Sequence, residues 1–323
     1  MWVAALHCPS SGQGKDAGGL GCDRRMGQEL TTLGDLRREI DRIDDALHDL
    51  LIGRAEISRA IAKVKQAAAN PGGGPLGPAM RPAREAAILR RLLARHRGEL
   101  SAHVIVRIWR EIISSSLRIQ TRFELHVFAG KNGTEFHDLA RSYFGSLAPI
   151  RGHSRPSLVV QACADEPSSV GLIPLPEFEE PGATWWAQLA PAGQPGPRVI
   201  SRLPFIVEGS NDLPAAYGIA AIEQEPSGDD TTLLLLEIAS DMSRTKLRAF
   251  IRDAGFDAQL AATGRTCDKR VPDEILLEAK GFIGKDDKRL RLLADAAGEA
   301  LARIVPIGGF ANPVVVAGGA NSR

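Results

Sequence analysis

The 323-residue sequence is short of cysteine, aromatic rings, charge of one sign and long apolar runs. Its four cysteines, Cys8, Cys22, Cys163 and Cys267, lie far apart with no CxxC pair. That argues against a disulfide framework or a structural zinc site, and it fits a reducing, cytoplasmic setting. Aromatic residues make up only 5% of the chain, so its cores must be built from Leu, Ile, Val and Ala. Lys and Arg number 40 against 39 Asp and Glu, which gives no global attraction to nucleic acid or to a membrane surface. No apolar run, Leu233 to Leu236 included, approaches the ~20 residues that span a bilayer. The stretch 304–320 is cut by Pro306, Pro313 and several glycines. Cys8 follows Ala-Ala-Leu-His in the manner of a lipoprotein cleavage site, but no basic leader precedes it. Residues 1–30, rich in Gly and Ser, read as a disordered leader, with Met26 a candidate start. The seven histidines form no HxxxH or HExxH metal arrangement, and no Ser/His/Asp pattern stands out, so surface or core roles are their default.

What is present is apolar content of 44% and length enough for two or three domains with real cores. The strongest pattern runs from Leu36 to Val64. Leu36, Ile40, Ile43, Leu47, Leu50, Ile57, Ile61 and Val64 follow one another in steps of three, four and seven. Thr31, Thr32 and Asp35 supply an N-terminal cap. A helix of about 35 residues is long for a globular monomer and suggests pairing with a second chain. The Gly- and Pro-rich segment Asn70 to Pro78 ends it. A second helix is expected from Pro82 to Arg97, and a third, capped by Ser101, from Ala102 to Arg122. The third carries a stripe of Ile105, Ile108/Trp109 and Ile112/Ile113 that continues through Ser116 and Ile119/Gln120.

Beyond Glu124 the pattern changes. Leu125 to Phe128 reads as a strand, followed by a Gly130-Lys-Asn-Gly133 turn and a helix from His137 to Phe144. Residues 151–200 are Pro-rich with short apolar pieces. After them come a strand (231–238), a helix (243–254), a strand (274–280), a helix (285–304) and a short final strand. That order, β-α-β-β-α-β in its fuller version, suggests a small C-terminal α+β sandwich. The fold class is thus α plus α/β, multidomain. Its expected parts are a leader (1–30), a helical domain (31–122), a truncated α/β region (123–228) and an α+β domain (229–317).

Chemistry concentrates in the helical part. The one vacancy in the heptad series holds Arg54, where a charge is costly unless paired. Lys65 lies three turns on, Arg84 and Glu85 open the next helix, and Ser116 and Gln120 continue the stripe of the third. Together these form a cationic pocket with one carboxylate and neutral donors, suited to a small dianion gripped by Arg forks. The basic run Arg81, Arg84, Arg90, Arg91, Arg95, Arg97 has Glu85 and Glu99 interspersed and no aromatic stacking partners. It reads as a solvated face rather than a nucleic-acid surface.

The ordered set Arg37, Asp41, Asp44, Arg54, Lys63-Val-Lys65, Arg84-Glu85 and Ser114-Ser-Ser116-Leu-Arg-Ile-Gln120 resembles the all-helical chorismate mutases over residues 32–122. The resemblance implies an interlocked homodimer and a cofactor-free [3,3] rearrangement of chorismate to prephenate in phenylalanine and tyrosine biosynthesis. It implies that Arg37, reaching across from the other subunit, and Arg54 grip the carboxylates, with Arg84 and Ser116 completing that side. Lys65 and Gln120 donate to the breaking ether oxygen, and Glu85 orders the substrate hydroxyl. Arg81 stands where some members carry an acidic residue, and is counted among the substrate-binding positions. The loop 66–80 is longer than is usual in the family.

The remainder resembles, with gaps, the prephenate dehydratase and ACT domains often fused behind this mutase. Phe128 to Thr134, Val170 to Glu177 and Ser201 to Phe205 carry that likeness, as does residues 231–316 for the ACT part. Three departures stand out. Pro176-Glu177-Phe178 replaces the family's Glu-Asn-Ser, Ser201-Arg-Leu replaces Thr-Arg-Phe, and Ala262-Thr-Gly-Arg265 replaces Glu-Ser-Arg-Pro. The expectation is therefore a mutase with a degenerate distal half. The alternatives are a bifunctional mutase/dehydratase and a non-catalytic metabolite-sensing or partner-binding protein.

Overall fold

The computed structural model describes residues 32–68, 79–130, 135–176, 179–181, 184–191, 196–208, 214–239, 242–265 and 272–316. The expected leader, most of the long loop, Lys131 to Thr134 and Glu177-Phe178 lie outside the described residues. Contacts divide the chain into two compact units, one up to Gly53 and one from Arg54 onward.

Three helices come first: α1 (Leu33–Ala68), α2 (Pro82–Arg95) and α3 (Ala102–Gln120). Thr32 and Asp35 cap α1 reciprocally, Asp35 N donating to Thr32 Oγ1 and Thr32 N to Asp35 Oδ2, each at 3.2 Å. Pro82 opens α2, where its missing N–H leaves no bond unmade. Ser101 caps α3 by accepting from Val104 N. In the unit that ends at Gly53, the apolar series Leu36, Ile40, Ile43, Leu47 and Leu50 is exposed.

In the second unit, the strands β1 (Leu125–Phe128), β2 (Ile150–His153) and β3 (Val170–Pro174) form a parallel set with α4 (Glu135–Phe144) and α5 (Pro156–Asp165). Next come β4 (Glu179–Pro181), β5 (Arg198–Leu203), β6 (Ile206–Glu208) and β7 (Ala216–Ala220). The expected β-α-β-β-α-β order follows as β8 (Asp230–Ile238), α6 (Arg244–Asp253), β9 (Ala258–Arg265), β10 (Asp273–Lys280), α7 (Lys288–Ala297) and β11 (Leu301–Ala311). A short β12 (Val314–Val316) pairs with β6. Among the described residues, ten strands join in one sheet, ordered β2-β1-β3-β7-β5-β11-β8-β10-β9-β4.

The run Leu233 to Leu236 is apolar throughout because both faces of β8 are covered. Leu233 and Leu235 pack with Trp186, Tyr217 and Phe310, while Leu234 and Leu236 pack under α6 and α7 with Leu247, Ile251 and Leu293. Where β11 meets β5, Gly308 has φ +123, and a side chain there would overlap the backbone of Val199. Only glycine allows that approach.

One sequence expectation is corrected. The helix expected over 285–304 stops at Ala297, and residues 301–311 form a strand. Gly298 takes φ 55 and ends the helix, and Ile304 and Val305 pair with Leu236 and Leu235 of β8. At the other end of α7, Asp287 Oδ1 accepts from Arg289 N at 2.9 Å, and the Arg289 guanidinium closes on the same carboxylate at 2.7 Å. Those bonds hold the Asp287 carboxyl below its ordinary pKa. Asp287→Ala is expected to lower stability by about 1 kcal/mol at neutral pH. Because the folded-state pKa is depressed, the stabilisation is present above the ordinary carboxylate value and is lost as pH falls through the depressed one. Urea midpoints of wild type and variant should converge on acidification.

Candidate active site

The face of α3 toward the sheet is set by packing. Ile113 and Leu117 join a core with Phe123, Leu125 and Phe144, and the Ser114 hydroxyl donates to the Phe144 carbonyl. That contact leaves Ile112, Ser116 and Gln120, one turn apart, to meet residues of α1 from Arg54 onward. Arg54 Nη1 donates to the Ile112 carbonyl at 3.3 Å and to the Ser116 hydroxyl. The Ser116 hydroxyl in turn donates to the Ile112 carbonyl at 2.8 Å. One turn beyond Ser116 on α3, Lys65 Nζ donates to Gln120 Oε1 at 3.2 Å. Gln120 Nε2 reaches back to the Ser116 carbonyl at 3.3 Å. Burial lowers the pKa of the Arg54 guanidinium, yet an arginine stays charged at any physiological pH. Ser58, one turn along α1, is buried and donates to the Arg54 carbonyl at 3.0 Å. The outcome is two cations and two neutral donors along the α1–α3 seam, with Arg54 half-buried and Lys65 exposed. Such a line can hold a dianion and feed hydrogen bonds to an oxygen that gains charge.

Four of the residues singled out in the sequence therefore meet: Arg54, Lys65, Ser116 and Gln120. The others are placed differently. Arg37 belongs to the other unit and is exposed. Arg84 is exposed, and Arg81 forms an exposed bidentate pair with Glu225, the shortest contact being 2.8 Å. Glu85 is buried and pairs with Arg110, Nη1 to Oε2 at 2.8 Å. Arg110 is 2% exposed, and its guanidinium lies 3.6 Å from the centroid of the Tyr143 ring. Burial raises the Glu85 pKa, and the charge of Arg110 works against that rise. Glu85 Oε1 has no hydrogen-bond partner among the described residues.

Sequence reasoning missed Arg110. The signal was available, since Arg110 lies three and seven residues before the buried Ile113 and Leu117 and shares their face. Arg110 also borders a cavity of about 900 Å³ between α3, α4 and the β5–β6 segment, with Arg107, Arg141 and Phe205 in its lining. That cavity does not include the Arg54–Lys65 line.

Residues 36–121 match the family of chorismate mutase type II. The chain thus carries a chorismate mutase type II domain. Two curated relatives are bifunctional chorismate mutase/prephenate dehydratases. One, from Pseudomonas aeruginosa, is 28% identical over 145 residues, covering 45% of this chain and 39% of the relative. The other, from Aquifex aeolicus, is 32% identical over 123 residues, covering 37% of this chain and 32% of the relative. The matched stretches span well under half the length of either relative. Among solved structures, a prephenate dehydratase from Streptococcus mutans aligns at 12% identity over 61% of this chain and all of that one, with a TM-score of 0.41. No helix among the described residues is long and apolar enough to cross a membrane.

Proposed function

We propose that residues 36–121 convert chorismate to prephenate without a cofactor. The observation that carries this reading is the Arg54–Ser116–Gln120–Lys65 line across α1 and α3. The reaction is an intramolecular rearrangement, so the protein must hold the compact conformer of a dianion and stabilise negative charge on the breaking ether oxygen. Arg54, backed by Ser116, takes a carboxylate through its fork. Lys65 and Gln120, which bond each other in the free protein, turn their donors to the ether oxygen. Glu85 accepts the substrate hydroxyl through Oε1, because Oε2 is held by Arg110. Arg84 and Arg81 serve the carboxylate side, and Arg37 arrives from a second copy of the chain. Homodimer formation is supported by the exposed apolar series on α1, in which Ile57, Ile61 and Val64 are 64%, 43% and 69% exposed.

A second reading adds prephenate dehydratase activity in the distal half, and the comparisons favour it over a mutase alone. The match to the Pseudomonas aeruginosa protein spans 145 residues, more than the 121 that lie up to the end of the mutase segment, so the likeness continues beyond it. One experiment separates the readings: purified protein is mixed with chorismate, and chorismate loss and phenylpyruvate formation are followed separately. Loss with prephenate accumulating supports the mutase alone. Phenylpyruvate at neutral pH supports the bifunctional enzyme. No loss refutes both and favours a binding protein.

A further inference from the structure

Beside the parallel set β2-β1-β3, four side chains from three segments converge. Glu124 immediately precedes β1, His126 lies in β1, His153 ends β2, and Glu166 follows α5. His126 is 1% exposed, and its Nδ1 lies 2.9 Å from His153 Nε2. The other nitrogen, His126 Nε2, is buried without a hydrogen-bond partner among the described residues. It faces Glu166 Oε2 at 3.9 Å, beyond hydrogen-bond reach. One ligand atom from each of Glu124, His126 and Glu166 lies within 4.8 Å of the other two.

We propose that Glu124, His126 and Glu166 bind a divalent transition-metal ion of the zinc class, with His126 ligating through Nε2. When His126 donates its Nδ1 proton to His153 Nε2, Nε2 carries only a lone pair. A buried lone pair facing the Glu166 carboxylate, with Glu124 in the same cluster, is repulsive, and a cation among them removes the repulsion. The His153 bond also fixes tautomer and ring orientation, the usual office of an outer-shell partner. Ligand atoms around a tetrahedral ion with bonds of about 2.0 Å stand roughly 3.3 Å apart. The glutamates need only rotate to reach that spacing, and Glu166 has a side chain 52% exposed. Ser169 Oγ donates at 3.2 Å to Glu166 Oε2, the oxygen that faces His126 and keeps a second lone pair for the ion, and Arg151 Nη2 lies 3.2 Å from Glu124 Oε2. A mixed imidazole and carboxylate set suits zinc-like ions better than magnesium or calcium, and three protein ligands leave a fourth position for water. Sequence spacing hid the site because its ligands come from segments about 40 residues apart, outside any short motif.

The test uses the full chain, stripped of metal by chelation and dialysed against zinc alone, with bound metal counted by elemental analysis. The buried His126 is a risk to folding, so the deciding variant is Glu124→Gln/Glu166→Gln, whose changes lie toward the surface. Wild type should retain one equivalent more than the double variant, whose affinity should be at least ten-fold weaker at an unchanged circular dichroism spectrum. Cobalt in place of zinc should give visible absorption in wild type only. Equal zinc retention by both proteins, or none by wild type, would overturn the site, whatever the outcome with chorismate.

Discussion

Arg54→Ala is expected to lower kcat for chorismate by about 10²–10³-fold, the usual loss when one preorganised donor is removed from a site that stabilises developing charge. The chain should stay folded. Arg54 is only half-buried, and the groups it leaves behind are not orphaned, because the Ser116 hydroxyl still donates to the Ile112 carbonyl. The loss in stability should therefore be about 1 kcal/mol, the net worth of an ordinary hydrogen bond. Arg54→Lys separates charge from geometry. Lysine keeps the cation but presents a point charge where a planar fork had bonded Ile112 and Ser116, so kcat should recover only in part. Lys65→Ala belongs in the same assay, since Lys65 is exposed and bonds only Gln120 among the described residues. Its substitution should cost turnover and almost no stability. Wild-type kcat in both alanine variants would remove the α1–α3 line from the reaction.

The parts of this arrangement that were legible in the sequence are those set by spacing along one helix. Ser116 and Gln120 lie one turn apart, so any helix puts them on one face. Arg54 and Lys65 lie three turns apart on α1, so the same face of that helix meets both. Of the elements from β8 to β11, β8, α6 and β10 were legible as separate segments, whereas β9 (Ala258–Arg265) was not read as a strand of its own. What the sequence hid depends on partners far along the chain. Glu85 reads as a site carboxylate from its place beside Arg84, but its immediate neighbour is Arg110, 25 residues on and across the α2–α3 contact. Arg81 reads as part of a solvated basic face, yet it is tied to Glu225. The end of α7 was overrun because Leu301 to Val305 continue an apolar pattern that suits helix and strand alike. Gly298 was the discriminating residue, and pairing with β8 decides the outcome.

The second large effect concerns that hidden pair. Arg110→Met should destabilise the protein by about 3–5 kcal/mol near pH 7.5, because it strands the Glu85 carboxylate in a buried site. The wild-type pair is bonded through a single contact of 2.8 Å, and Glu85 Oε1 and Arg110 Nε and Nη2 lack partners among the described residues. It is therefore a costly way to fill space, and replacing both members should undo most of the loss: Glu85→Leu/Arg110→Met should lie within about 1–2 kcal/mol of wild type. The pH dependence identifies the cause. Burial already raises the Glu85 pKa against the opposing charge of Arg110, so without Arg110 it must rise further. A carboxyl whose folded-state pKa is raised binds more protons folded than unfolded between the two values, so stability falls as pH rises through that window. In acid the stranded group is neutral and its charge penalty disappears. The deficit of Arg110→Met, read from urea midpoints, should accordingly be largest at pH 8 and shrink toward pH 5, while the double variant tracks wild type. A deficit that does not change with pH would instead assign the loss to packing, since the Arg110 guanidinium covers the Tyr143 ring at 3.6 Å and Phe205 at 5.4 Å.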